Sequence, residues 1–288
     1  MIDRKALVLS RMERVVTLLQ DNLFEETAVD LNTLAEAAAL SPFHFHRLYR
    51  LVTGETCGET LCRLKLAAGA RHLAMAATVT DAAMQAGFSS SQAFAKAMKR
   101  ETALSPTQLR DDPELLSSIA GQLSQPASFQ SAVPRGWLTI ELVSLVPMRL
   151  VTLRTEHLYP NLFETYTRLF EIAGDPTQVT AIIGIPRGDS GDAASGVFDS
   201  ALLLNEAPQN LPTDLFWQNT AEGEYLRVRH AGSYDGLEQT VDNLYLTMLS
   251  INDLWPADAP CIYHYLDDPE EVSEPLLRTD IYLPVNRA

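Results

Sequence analysis

The stretch SPFHFHRLYRLVTG (41–54) gathers His44, His46, Arg47 and Arg50 into seven consecutive positions. Two imidazoles in an H-x-H pattern suggest a metal site, because neutral imidazole is a common metal ligand. Two guanidinium groups suggest phosphate or guanine, whose acceptors match the planar fork. Spacing decides between them. On a helix, residues two apart point about 200° from each other, so His44 and His46 cannot close on one ion. The metal reading fails, and neither a metal nor a cofactor is expected. Cys57, Cys62 and Cys261 form no C-x-x-C pair and no disulfide framework. The GDSG string (188–191) echoes a serine-nucleophile signature, but it sits in RGDSGDAASG without the surrounding pattern and reads as a loop. No catalytic residue emerges, and the chain is not expected to be an enzyme.

Helices must position these cations. Apolar residues recur at three- and four-residue spacing through ALVLSRMERVVTLLQDNL, LNTLAEAAAL, FHFHRLYRLV, ETLCRLKLAAGARHLAM, VTDAAMQAGF and AFAKAMKRE. Ser41 before Pro42 reads as an N-cap followed by proline at the first helical position. A wheel at 100° per residue puts Phe45, Leu48, Tyr49 and Val52 on one face, which must be core. Phe43, His46, Arg47 and Arg50 fall opposite, and His44 falls on the flank. The later helix repeats the design, with Phe94, Ala97 and Met98 inward and Gln92, Lys96 and Lys99 outward. Each helix follows a short alanine-rich helix and a turn. Two copies of helix, turn and helix with a cationic outer face fit readers of the DNA major groove.

Residues 113–135, rich in Ser, Gln and Pro, read as a linker with one short helix. From 136 the texture changes. GWLTIELVSL, RLVTLRTEH, SALLLNEA, EYLRVRHAG and TDIYLPV are β-like, whereas YPNLFETYTRLFEIAGD and YDGLEQTVDNLYLTMLSIND have helical period. An internal repeat aligns VTLRTEHLYPNL (151–162) with LRVRHAGSYDGL (226–237), pairing Arg154 with Arg229 and Tyr159 with Tyr234. The expected architecture is an all-α domain over 1–112, with two helix-turn-helix units, and an α+β domain over 136–288 made of two duplicated strand-helix halves. A cleft between such halves is a common place for a small-molecule site.

Charge sharpens the division. The 288 residues carry 22 Lys+Arg and 37 Asp+Glu. Residues 1–112 hold 13 of each sign, while 113–288 hold 9 cations against 24 acids. No lysine follows Lys99. The net charge of −15 therefore argues against nucleic acid only as an average, because it belongs to the second part. No apolar run reaches the roughly 18 residues of a membrane helix. The charged N-terminus (Asp3, Arg4, Lys5) contains no signal-peptide core, so a cytoplasmic, nucleoid-associated protein is expected.

Residues 10–110 resemble the DNA-binding domain of AraC/XylS-type transcription regulators. The resemblance rests on LAEAAALSPFHFHRLYRLVTG, LCRLKLAAGARHLA and VTDAAMQAGFSSSQAFAKAMKRETALSPTQLR. It implies two reading heads joined by one long helix, set in successive major grooves of double-stranded promoter DNA. Phe43, His46 and Arg47 are then base-edge candidates, with Gln92 their analogue in the second head beside Ser91. Arg50, Lys96, Lys99 and Arg100 are phosphate candidates. Ala39 stands where the family's first turn often has glycine. Lys96, Met98 and Leu109 stand where arginine, phenylalanine and tyrosine are common.

Residues 136–286 resemble the gyrase-inhibitor-like effector-binding domain, on RHAGSYDGLEQTVDNLY and PCIYHYLDDPEEVSEPLLRTDIYLPV. Its position after an AraC-type head matches the Rob-type architecture. The resemblance implies a small-molecule effector held in an aromatic cleft with a buried glutamate, and contact with RNA polymerase. Tyr263 occupies the glutamate's position, so a neutral, aromatic or amphipathic effector is as expected as a cation, unless Glu224 or Glu238 substitutes. The pocket candidates are Tyr159, Phe163, Tyr166, Trp217, Glu224, Tyr225, Tyr234, Trp255, Tyr263 and Tyr265. Two alternatives stay open: a small-molecule hydrolase, and a module that sequesters a ligand or partner.

Overall fold

The computed structural model describes residues 4–25, 29–76, 78–125, 138–156, 162–188, 196–208, 210–251 and 253–287, apart from the side chains of Arg4 and Lys5. Its helical part runs α1 (Arg4–Asp21), α2 (Leu31–Ala37), α3 (Pro42–Thr53), α4 (Cys57–Leu73), α5 (Val79–Gln85), α6 (Ser91–Thr102), α7 (Pro106–Arg110) and α8 (Pro113–Ser124). Side-chain caps fix several starts. Asp30, Thr56, Thr78, Ser90, Ser105 and Asp112 each accept a backbone N–H of the helix that follows.

Ser41 does not do this. Its hydroxyl is buried without a hydrogen-bond partner among the described residues. The His44 N–H bonds the Ser41 carbonyl instead, at 3.1 Å. Pro42 opens α3 as expected.

The chain divides into two units. The first holds residues 1–39 and 49–131; the second holds Leu40–Leu48 with residues 132–288. The division cuts α3 in two. The core of the first unit joins Leu66, Ala67, Ala70 and Leu73 of α4 to Phe94 and Met98 of α6. Gly69 makes this approach possible, because a Cβ there would stand 2.5 Å from the Phe94 ring. Leu116, Ala120 and Leu123 of α8 complete the same core. The segment expected as a linker thus begins with a helix that packs as part of the first unit. Arg63 secures its end, donating to the carbonyls of Leu123 and Gln125 at 2.7 and 2.6 Å.

The second unit adds β1 (Ile140–Leu145), β2 (Arg149–Thr155), α9 (Leu162–Ala173), β3 (Val179–Pro186), β4 (Phe198–Leu204), β5 (Leu215–Asn219), β6 (Gly223–Ala231), α10 (Leu237–Ser250), β7 (Leu254–Pro256), β8 (Ile262–Tyr265) and β9 (Arg278–Arg287). Among the described residues the strand pairings are antiparallel, in the order β1-β6-β9-β8-β3-β4-β2-β5, with β7 on β9. Alternation along the strands separates two cores. Leu150, Ile183, Ile185, Ala201 and Ile262 form one. Val151, Leu202 and Leu215 form the other, with Leu169 of α9.

Candidate functional site

The second helix expected to read DNA, α6, buries Phe94 and Met98 and exposes the cations its periodicity puts outward. On α6, Phe94 and Met98 are fully buried, and Gln92, Lys96, Lys99 and Arg100 are exposed, with Ser91 and Ala97 half-buried. Gln92, Lys96 and Lys99 follow i, i+4, i+7 spacing and share a face. Arg100 lies beside them, its guanidinium 3.8 Å from the Cys62 sulfur.

In the first recognition helix, Phe45, Leu48, Tyr49 and Val52 are buried, as the wheel requires. The opposite face departs from expectation. Phe43, His46 and Arg50 are half-buried, and Arg47, expected to face outward, is only 4% exposed. Its guanidinium donates to Asp242 and to Glu238, at 2.7 Å each. Arg187 lies 5.8 Å from the Phe43 ring centroid. His44, expected on a solvated flank, is fully buried. Its Nε2 lies 2.8 Å from the Ala257 carbonyl, which can only accept, so Nε2 carries the proton. Nδ1 then accepts from the Tyr245 hydroxyl at 2.5 Å. Both nitrogens are committed, which leaves none for a metal. Burial holds the His44 pKa at about 4, so the ring is neutral. The physical reason for both corrections is tertiary: α10 supplies carboxylates and a phenol exactly where a wheel, blind to partners, sees solvent.

The second unit contains a cavity of about 580 Å³, lined by Phe163, Tyr166, Phe170, Tyr234 and Tyr265, with Glu171, Asp267, Asp268 and Glu270 among its walls. Tyr265 stands edge-on to Tyr166 and to Tyr234, with centroids 6.0 and 5.2 Å apart. Tyr166 donates to the Ile183 carbonyl at 2.7 Å. Desolvation raises the pKa of Tyr166, Tyr234 and Tyr265, so all three remain neutral phenols. Gly184 on β3 makes room for this cluster, since a Cβ there would lie 2.9 Å from the Tyr265 hydroxyl. The cavity therefore offers π faces surrounded by carboxylates. Of these, Asp267 is paired with Arg278 at 2.7 Å and Glu171 with Arg168 at 3.1 Å.

Four of the ten expected pocket residues meet at this cavity: Phe163, Tyr166, Tyr234 and Tyr265. Tyr159 lies outside the described residues, as do residues 189–191 of the GDSG string. Trp217 packs under the Arg149 guanidinium, 4.2 Å from its centroid. Glu224 pairs with Arg287 at 3.1 Å. Tyr225 is buried and donates to the Ala221 carbonyl. Trp255 is half-buried on β7. Tyr263 is 3% exposed, and its hydroxyl has no hydrogen-bond partner among the described residues. Phe170, Glu171, Asp267, Asp268 and Glu270 also line the cavity and stand outside the ten expected residues. Phe170 stands four residues after Tyr166 on α9, a spacing that places them on one face.

Two buried carboxylates stand in similar settings. Asp199 on β4 accepts from Arg154 on β2 at 2.7 Å, and Arg187 also pairs with it. Asp280 on β9 accepts from Arg229 on β6 at 2.7 Å.

A family model described as a helix-turn-helix domain matches residues 34–112, and one described as a GyrI-like small molecule binding domain matches residues 138–286. The chain is 32% identical over 95 residues to the bifunctional transcriptional activator/DNA repair enzyme Ada of Escherichia coli (strain K12), covering 33% of this chain and 27% of that protein. It thus spans about a quarter of Ada's length. It is 23% identical over 273 residues to the right origin-binding protein of the same strain, covering 90% of this chain and 93% of that one. Among solved structures, the cryo-EM structure of an EcmrR–DNA complex in EcmrR-RPo aligns with a TM-score of 0.43 and 15% identity, covering 90% of this chain and 100% of that one.

Proposed function

Since the chain belongs to the GyrI-like small molecule binding family and carries a helix-turn-helix domain ahead of that match, we infer that it is a cytoplasmic transcription regulator controlled by a small effector. The observation that carries the sensing half is the cavity itself, in which Tyr265 packs against both Tyr166 and Tyr234 with carboxylates around them. Neutral phenol faces attract aromatic groups and cations, and the nearby acids favour the cation. The effector is therefore an aromatic or amphipathic molecule, and a positive charge improves its fit even though Tyr263 is no carboxylate.

The exposed face of Gln92, Lys96 and Lys99 supports contact with promoter DNA, Gln92 at a base edge and the cations at phosphates. RNA polymerase is the partner through which such contact would change transcription. The second domain is a duplication, a reading supported by its sheet order. From either end inward, β1, β6, β9, β8 correspond to β5, β2, β4, β3. The Arg154–Asp199 and Arg229–Asp280 pairs take matching places in that scheme, each across one antiparallel ladder.

Genomic footprinting of the intact protein tests the reading, with and without an aromatic cation and a neutral aromatic of similar size. Discrete enriched sites whose occupancy responds more to the cation are expected. Absence of enriched sites under every condition refutes the regulator.

A further inference from the structure

Arg47 is the residue of α3 best suited to a guanine edge, and it is nearly buried against two carboxylates. Its side chain is 5% exposed, against 23% for Glu238 and 19% for Asp242. Glu238 and Asp242 are four residues apart, on one face in the first turns of α10. Two carboxylates so placed repel each other unless a cation lies between them. The Arg47 guanidinium bonds one with each terminal nitrogen, and it lies 5.8 Å from the centroid of the Tyr245 ring.

Two further observations mark this as a built recess. The Tyr263 hydroxyl is buried and unpartnered among the described residues, and the charges of Glu238 and Arg47 act on it in opposite directions. His44, three residues before Arg47 and so on the same side of α3, is anchored to Tyr245 and Ala257.

We propose that Glu238, Asp242 and Tyr245 form a guanidinium-binding site whose resident ligand is Arg47, and that DNA must take Arg47 from it. The two uses exclude each other. Bidentate contact with guanine or phosphate needs the same terminal N–H groups that the two carboxylates already hold. The first recognition helix is thereby held back by a chemically specific competitor within the chain, while α6 keeps its cations exposed. This inference rests on the reading of α3 as a DNA-contacting helix.

The test uses the full-length chain in four forms: wild type, Glu238→Gln/Asp242→Asn, Arg47→Gln, and all three substitutions together. Affinity for a short random-sequence duplex is measured at low salt. Amide hydrogen exchange over residues 41–50 is followed in parallel. Glu238→Gln/Asp242→Asn is expected to bind DNA about fivefold more tightly than wild type, a scale set by a partly exposed ion-pair cluster. That gain should vanish in the Arg47→Gln background, and exchange over 41–50 should quicken without DNA. An equal gain in both backgrounds means bulk charge alone and overturns the proposal, as does no gain with unchanged exchange. Quickened exchange with no DNA binding by any form keeps the guanidinium site and removes the regulator reading beneath it.

Discussion

Ala39 and Ala103 adopt φ of +51° and +62°, a left-handed backbone that suits glycine. Ala39 ends the turn before α3, and its strain is partly offset because Arg11 and Arg14 donate to the carbonyls of Ala39 and Ala37. Gly87, in the corresponding turn before α6, has φ of +75° with only Lys65 side-chain atoms near its missing Cβ. Ala39→Gly is therefore expected to raise stability by about 0.5 kcal/mol, the balance of left-handed strain and glycine entropy. Gly87→Ala should lower it by about 1 kcal/mol. Urea unfolding reads both. His44 supplies a pH term. Its folded pKa of about 4 lies below the ordinary 6.5 because burial disfavours the imidazolium. The unfolded chain takes the proton first, so this stability is complete above pH ~6.5 and is lost as pH falls towards 4. The loss amounts to about 3 kcal/mol for a shift of this size. His44→Gln should flatten the stability profile between those limits, and an identical profile would remove His44 as its source.

At the scale of elements, α8 is the clearest test of what packs where. A chain ending at Asp112 loses Leu116, Ala120 and Leu123 from the core of the first unit, along with the Arg63 contacts to Leu123 and Gln125. Each buried leucine contributes roughly 1.5–3 kcal/mol, so that chain should melt well below one ending at Gln125. Equal melting would show that α8 is dispensable. The helices from α1 to α6 are legible because their periodicity is regular, and β1, β2, β6 and β9 because apolar residues alternate along them. β3 is not legible because VTAIIGIP is largely apolar with no polar alternation, nor are β5, β7 and β8, whose three to five residues carry too little pattern. The exposed face of α6 was readable for the same reason as its core. The setting of Arg47 was not, since Glu238 and Asp242 are some 190 residues away in the chain and nothing local announces them. Four aromatics of the cavity could be listed in advance, but burial tells a lining tyrosine from a core one only in three dimensions, as Tyr265 and Tyr225 show.

At the scale of the whole molecule, charge is segregated: residues 1–112 are balanced and residues 113–288 carry the net −15. A chain ending at Gln125 should bind random DNA more tightly than the full chain at low salt. The difference should shrink as salt rises, because screening weakens the acidic remainder most at long range. Equal affinities at low salt would mean that the acidic half has no electrostatic influence on binding.

The composition of the cavity wall has an optical consequence. Tyr166, Tyr234 and Tyr265 line it, whereas Trp217 and Trp255 do not. A molecule entering between those rings should therefore change the tyrosine bands of the near-ultraviolet spectrum, and reach Trp217 only through the core it shares with Tyr166 and Phe170. Occupancy of the site would carry its own colour, distinguishable from a rearrangement around Trp255 on β7.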